Sequence, residues 1–322
     1  MQAYKTDIRL KTFPSQIKHG QKILTLGSCF AQEMGERLTV NKFDVLVNPY
    51  GVIFNPLSIF HALKDSMVHP DGYVVRDGMT CHFDYHFDLR AESRDTLQTM
   101  IQNRNEQVQT RLKEADWLVL TFGSAHVYEL KSTGQVVANC HKVSQANFDK
   151  RLLGLPEMKA AFDSLLQSLR VINPTLKIVL TVSPVRHIKD GMEEDQLSKS
   201  LLRVFCATLI KDSSIYYFPS YEIMMDDLRD YRFYKEDLIH PNKQAEDYIW
   251  NCFRQVAFNA ETQNLIQKWQ NVLMAMQHRP FNPSSTEYQL FLQSAMKKLE
   301  ELSGDLDIAQ EKVWFMKQLS QE

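Results

Sequence analysis

The 322 residues are 44% hydrophobic, enough for one large domain with an extension or for two domains around buried cores. The 37 basic and 39 acidic residues nearly cancel and form no long run of one sign, which excludes the phosphate attraction that nucleic-acid binders rely on. No stretch approaches the roughly 18 apolar residues of a spanning helix, and the opening MQAYKTDIRLKTFP has no apolar signal core.

Cys29, Cys81, Cys140, Cys206 and Cys252 are scattered and lack a C-x-x-C pair, which fits reduced thiols. The reading is a cytoplasmic chain with no membrane span and no nucleic-acid partner.

Five short apolar runs predict strands: KILTLG (22–27), FDVLVNPYG (43–51), WLVLTFG (117–123), KIVLTVSPV (177–185) and SIYYFPSYEI (214–223). Helical patterns over 30–40, 56–65, 93–114, 156–171 and 193–212 alternate with them. Near-continuous apolar strands alternating with helices are what a parallel sheet covered on both faces requires. The predicted class is therefore α/β, a three-layer α/β/α sandwich on a parallel sheet of about five strands.

Residues 72–90 and 127–143 break the alternation and read as β-rich insertions, with Thr133-Gly134 suited to a hairpin turn. From 243 the pattern is helical, with Leu265, Trp269, Val272 and Met276, then Tyr288, Phe291, Leu292, Ala295 and Leu299, at helical spacing. RPFNPSS (279–285) interrupts it with prolines and turn formers. The expected division is a domain over 1–258 and a C-terminal helical extension over 259–322, the latter a cap or a homo-oligomer contact.

In parallel sheets, ligand-binding side chains gather beyond the carboxyl ends of the strands. After the first strand come Gly27 and Ser28 and then a helix, so the Ser28 hydroxyl falls near free N–H groups and the positive end of a helix dipole. That suits either a nucleophile or a plain helix cap. Late in the chain, Asp237 and His240 stand three residues apart ahead of Pro241, a spacing that can place a carboxylate against an imidazole. Arg186 and His187, after the fourth strand, either line a pocket mouth or pair locally. His82, Asp84 and His86 alternate as a metal site or the polar face of a half-exposed strand would, and the polar face is preferred.

GSCFA (27–31), NPYGVIFNP (48–56), TFGSAHVYE (121–129), NCHKV (139–143), TVSPVRHIKDG (181–191) and DLIHPN (237–242) follow one another in order. This set resembles the GSCFA family within the SGNH, or GDSL-type, hydrolase superfamily. The resemblance implies a flavodoxin-like sandwich, Ser28 as nucleophile, His240 as general base and Asp237 as its orienter. It also implies backbone donors at Ser28 and Gly51 for the oxyanion, and no cofactor or metal. The implied activity is ester hydrolysis, removing a small acyl group from a polar small molecule or glycan.

The chain departs from the superfamily in two places. Glycine directly precedes Ser28 where G-D-S is usual, and Ala125 stands where the third block carries asparagine. Asn55, Asn48, Ser124 and His126 are the candidate replacements for that donor, and His141 joins the substrate-binding set as part of a family motif. Cys29, next to Ser28, is the competing nucleophile. Two alternatives stay open: acyl transfer on the same triad, which a dry, closed acceptor pocket would favour, and a noncatalytic binding or assembly role, which the missing asparagine supports.

Overall fold

The computed structural model describes residues 8–64 and 69–320; Asp65, the expected end of the second helix, and residues 1–7 lie outside them. The elements in order are β1 (Lys22–Gly27), α1 (Cys29–Val40), β2 (Asp44–Val47), α2 (Pro56–Lys64), β3 (Tyr73–Arg76), β4 (Met79–His82), α3 (Arg94–Glu114) and β5 (Trp117–Phe122). There follow β6 (His126–Leu130), β7 (Gln135–Val137), β8 (Phe148–Leu152), α4 (Leu155–Ile172), β9 (Lys177–Val182), α5 (Met192–Leu209) and β10 (Ile215–Phe218). A helical turn, α6 (Ser220–Glu222), precedes α7 (Lys243–Ala257), α8 (Ala260–Gln277), α9 (Thr286–Glu300) and α10 (Ala309–Leu319).

The main sheet is five-stranded and parallel, in the order β10-β9-β5-β1-β2. The chain winds one way from β1 to β2 and the other way through β5, β9 and β10, so the strand order reverses between β1 and β5. A reversal of this kind opens a crevice at the carboxyl ends, where doubly wound folds bind their ligands.

The apolar strands face two cores because successive side chains point to opposite faces. Leu24, Leu26, Leu118, Leu120, Ile178 and Leu180 pack on one side with Leu97, Ile101, Phe162 and Phe205 from α3, α4 and α5. Ile23, Trp117, Val119 and Val179 pack on the other with Phe30, Met34, Ile249 and Phe253 from α1 and α7. All five predicted strands and the five helices between them are present, with the strands after the first ending earlier than the apolar runs suggest. At Val47 and Val182 the chain leaves the ladder to form the loops that carry Asn48 and Arg186.

Both insertions are β-rich: β3 and β4 pair as a hairpin, and β6 pairs with β7 and with β8. The strand β8, with sequence FDKRL, is too charged to stand out as an apolar run. The C-terminal helices close on their own core of Trp269, Val272, Leu292, Leu299 and Phe315. They dock against the end of α1, where Trp269 Nε1 donates to the Val40 carbonyl at 2.7 Å and Lys42 pairs with Glu311 at 2.8 Å. Phe291, placed with the apolar stripe by spacing, is exposed. Among the described residues no helix is long and apolar enough to cross a membrane.

The turn after β1 is set by one contact. Gly27 has φ +147°, and a Cβ there would lie 2.2 Å from the Thr121 carbonyl oxygen, which is backbone and cannot yield. Gly20 has φ +86° with nothing within 4 Å of its Cβ position. Gly27→Ala should therefore cost more than about 4 kcal/mol, or abolish folding, whereas Gly20→Ala should cost about 1 to 2 kcal/mol for its backbone conformation alone. Urea-denaturation midpoints of the two variants check the contrast.

Candidate functional site

Three carboxyl ends converge at the reversal point: Gly27-Ser28-Cys29 after β1, Gly123-Ser124 after β5, and Ser183 to His187 after β9. Ser28 caps α1, its Oγ accepting the Phe30 N–H at 3.3 Å, and its own N–H donates to the Thr121 carbonyl at 3.0 Å. The residue is wholly buried. Cys29, the first residue of α1, is partly exposed. Burial pushes its thiol up, against the pull of Lys199 and the Phe30 and Cys29 N–H groups.

Asp237 and His240 come together as their spacing suggests. Asp237 Oδ2 lies 2.7 Å from His240 Nδ1, and Asp237 Oδ1 accepts the backbone N–H groups of Ile239 (2.9 Å) and His240 (3.0 Å). Those two N–H groups, and then the ring, hold the Asp237 carboxyl down at about 2. Leu238 takes a left-handed φ of +58° so that the turn can close on the carboxylate, a conformation costly for a branched side chain. Arg186 braces the turn. Its Nη1 donates to the Leu238 carbonyl at 3.1 Å, its N–H to the Ile239 carbonyl at 3.3 Å, and its guanidinium stacks 3.9 Å from the Tyr234 ring centre.

A cleft of about 560 Å³ lies beside this turn, within the usual size of ligand pockets. Asn55, Ser124, Arg186 and His187 of the predicted set line it, with His126 and Cys140. Lys150 and Asp190, paired with each other, stand on its wall. His187 is held neutral, down at about 3, by burial and then by the charges of Lys199 and His240.

Several candidate donors already have partners. Gly51, with φ +74°, donates its N–H to the Asn48 carbonyl at 2.8 Å. Asn55 caps α2 through the Ser58 N–H at 2.8 Å, and Asn48 Oδ1 accepts the Gly27 N–H at 2.9 Å. The Ser124 hydroxyl accepts the His126 N–H at 3.0 Å, and His126 Nε2 meets Glu194 at 3.1 Å. His141 lies away from the cleft lining, with Nε2 2.8 Å from the His82 carbonyl.

The residue that sequence reasoning missed is Lys199. It is wholly buried, its ammonium donating to the carbonyls of Gly123 (2.7 Å) and Ser183 (2.8 Å). A signal existed: Asp195, Ser198 and Lys199 fall on the same face of α5 as Leu202, Phe205 and Cys206, where an all-apolar stripe would be routine.

His82, Asp84 and His86 do not share a strand face. β4 ends at His82, Asp84 turns inward, and His86 pairs with Asp88 at 3.0 Å. Burial pushes the Asp84 carboxyl up, but the neighbouring histidines His61, His82 and His69 outweigh it and bring it to about 2.

Comparison with known proteins gives a family and remote likenesses. No relative matches among curated proteins. A carbohydrate esterase family 3 structure from Talaromyces cellulolyticus is 10% identical at a TM-score of 0.36, covering 78% of this chain and 99% of that one. The periplasmic domain of a lipopolysaccharide acetyltransferase from Salmonella ser. Paratyphi A is 10% identical at 0.34, covering 74% and 84%. Likenesses this remote bear on neither substrate nor reaction. The GSCFA family model matches residues 22–253, and the model of the GSCFA domain protein, C-terminal domain, matches residues 269–321. The chain belongs to the GSCFA family.

Proposed function

We propose that this protein is an acyl-ester hydrolase whose nucleophile sits on the turn after β1, with His240 as base and Asp237 as its orienter. The observation that carries the reading is the Asp237–His240 pair at 2.7 Å, built at the carboxyl edge of a doubly wound sheet beside a cleft. With Nδ1 facing the carboxylate, Nε2 is the nitrogen that exchanges protons with a nucleophile. Ser28 attacks the acyl carbonyl as its proton passes to His240 Nε2. The tetrahedral intermediate expels the alcohol, which takes that proton, and water then releases the acid by the same route. The α1 N-terminus and the buried Lys199 ammonium supply the positive field for the oxyanion. The substrate is an acyl ester of a polar small molecule or glycan.

One observation favours Cys29 as nucleophile instead. The Ser28 hydroxyl is buried and already accepts the Phe30 N–H, whereas Cys29 is partly exposed and lies in the field of Lys199 and Lys235. Its raised thiol pKa means that it would depend on His240 to become a thiolate.

Intact-mass analysis after fluorophosphonate treatment separates these readings. One adduct per chain that vanishes in Ser28→Ala and survives Cys29→Ala supports the serine; loss only in Cys29→Ala moves the nucleophile to the thiol. Labelling should slow by about 100- to 10,000-fold in His240→Ala. Absence of an adduct on folded wild-type protein would overturn the hydrolase reading.

Hydrolysis of p-nitrophenyl acetate by Asp237→Asn should fall by about 10,000-fold, because the amide no longer favours the productive tautomer. The Asn oxygen can still accept the Ile239 and His240 N–H groups, so the urea midpoint should change little.

The charge on Lys199 gives a further expectation. Burial lowers its ammonium from 10.5 to about 8. Between those values the unfolded chain holds a proton that the folded chain has released, so this site makes stability rise with pH over that window. The stability of wild type relative to Lys199→Met should grow by on the order of 2 kcal/mol from pH 8 to pH 10, read from urea titrations at each pH.

A further inference from the structure

A second cavity, of about 210 Å³, lies away from the cleft, lined among others by His61, His69, Asp84 and Gln135. We propose that His61, His69 and Asp84 form a binding site for a divalent transition-metal ion of the zinc type. Each residue offers one ligand atom, and these atoms all lie within 4.8 Å of one another. His69 Nδ1 is 2.8 Å and His61 Nε2 3.6 Å from Asp84 Oδ2. Ligands bound to one ion at about 2.0 to 2.2 Å stand roughly 3 to 3.5 Å apart, so small side-chain shifts bring the set onto a common ion. Two imidazoles with a carboxylate form a donor set for zinc or iron, not for calcium or magnesium.

The hydrogen bonding points the same way. His69 Nδ1 faces both Asp84 Oδ2 at 2.8 Å and the Gln135 amide nitrogen at 2.7 Å. Asp84 needs a proton on that nitrogen, whereas the amide N–H needs a lone pair, and Nδ1 cannot supply both. Flipping the Gln135 amide would set its oxygen against Asp84 Oδ1, which now accepts its N–H at 2.6 Å. A cation takes the lone pairs of Nδ1 and Oδ2 together and leaves Gln135 donating to Oδ1, the outer support that ligating carboxylates ordinarily have. The rings of His61 and His69 are near-parallel, 4.6 Å between centres, as two imidazoles on one ion can be.

His82 is a positioning residue here and not a ligand. Its Nε2 bonds the His69 carbonyl at 2.8 Å and its Nδ1 accepts the Asp84 N–H at 3.1 Å, so both nitrogens are committed. The histidines are partly exposed while Asp84 is buried, which leaves an entry path for the ion. The site would tie α2, the segment after it, the end of β4 and β7 together. Val136 of β7 lines this cavity and Val137 lines the cleft, so the ion would brace a wall of the cleft from behind.

The full chain, stripped with a chelator and dialysed against Zn²⁺, should retain one ion by mass spectrometry of metal content. Co²⁺ in its place should give the intense visible bands of a low-symmetry nitrogen–oxygen site. His61→Ala and His69→Ala, each confirmed folded by circular dichroism, should bind at least about 100-fold more weakly, and Gln135→Ala about 10- to 100-fold more weakly. His86→Ala should bind as wild type does. Absence of stoichiometric Zn²⁺ in wild type at micromolar free metal, or binding undiminished in both His61→Ala and His69→Ala, would overturn the proposal. These readouts do not involve ester hydrolysis.

Discussion

The backbone contact between Gly27 and Thr121 controls what the carboxyl edge of the sheet can be. Strands β1 and β5 run side by side where the strand order reverses, and the Thr121 carbonyl occupies the space a Cβ on residue 27 would need. The same carbonyl accepts the Ser28 N–H, so the chain leaves β1 in one direction and α1 starts at once. Ser28 and Cys29 are both placed by that helix start. Ser28 is drawn under as its cap, and Cys29 takes the first helical position with more exposure.

The second organising feature is a cation in an apolar setting. Lys199 brings an ammonium to the ends of β5 and β9, where two carbonyl oxygens accept its hydrogen bonds and, among the described residues, the buried Asp195 acts on it through its charge and not through a hydrogen bond. An ammonium solvated by carbonyl dipoles retains much of its field in low dielectric. That field adds to burial in depressing His187 and pulls the Cys29 thiol down against the effect of burial. Asp237 needs no such help, since the backbone of its own turn keeps it ionised. The edge thus combines an ionised acid, a histidine aligned to it, and a buried positive charge near the helix start.

Much of the architecture was legible because a buried parallel strand leaves a local signature, an unbroken apolar run, and all five runs became strands of the sheet. The hairpin turn at Thr133-Gly134 was legible for a similar reason, with Gly134 at φ +72°. The strand β8 was not, because it is half-buried and only its ends, Phe148 and Leu152, are apolar, with Asp149, Lys150 and Arg151 between them. At the site, Asp237 and His240 were legible because their contact spans one turn. For Lys199 the local pattern reports only that a lysine falls on the buried face of α5, while its partners lie 76 and 16 residues away. The engagement of the Ser28 and Gly51 N–H groups by backbone carbonyls was hidden likewise, because it depends on where Thr121 and Asn48 place their oxygens. The histidine and aspartate cluster shows the same limit. Alternation grouped Asp84 with His82 and His86, while folding placed it with His61 and His69 from another segment.

The sheet and the insertions therefore hold separate parts of the problem. Strand ends are held by ladder hydrogen bonds and the 237–240 turn by Arg186. The cleft walls come mostly from β6, β7 and the segments after β7 and β9, outside the ladder of the main sheet. A wall of that kind needs bracing from outside the sheet if it is to keep a fixed shape against a ligand. Asn55 supplies one brace, capping α2 while its amide reaches the Val137 carbonyl at 3.5 Å. The polar cluster on the far side of β7 supplies another through Gln135, next but one to the residue that faces the cleft. Shape at the cleft thus depends on one side chain that lines it, Asn55, and on a cluster that does not, and substitutions around Asp84 would reach the cleft through β7 without touching the Asp237–His240 pair.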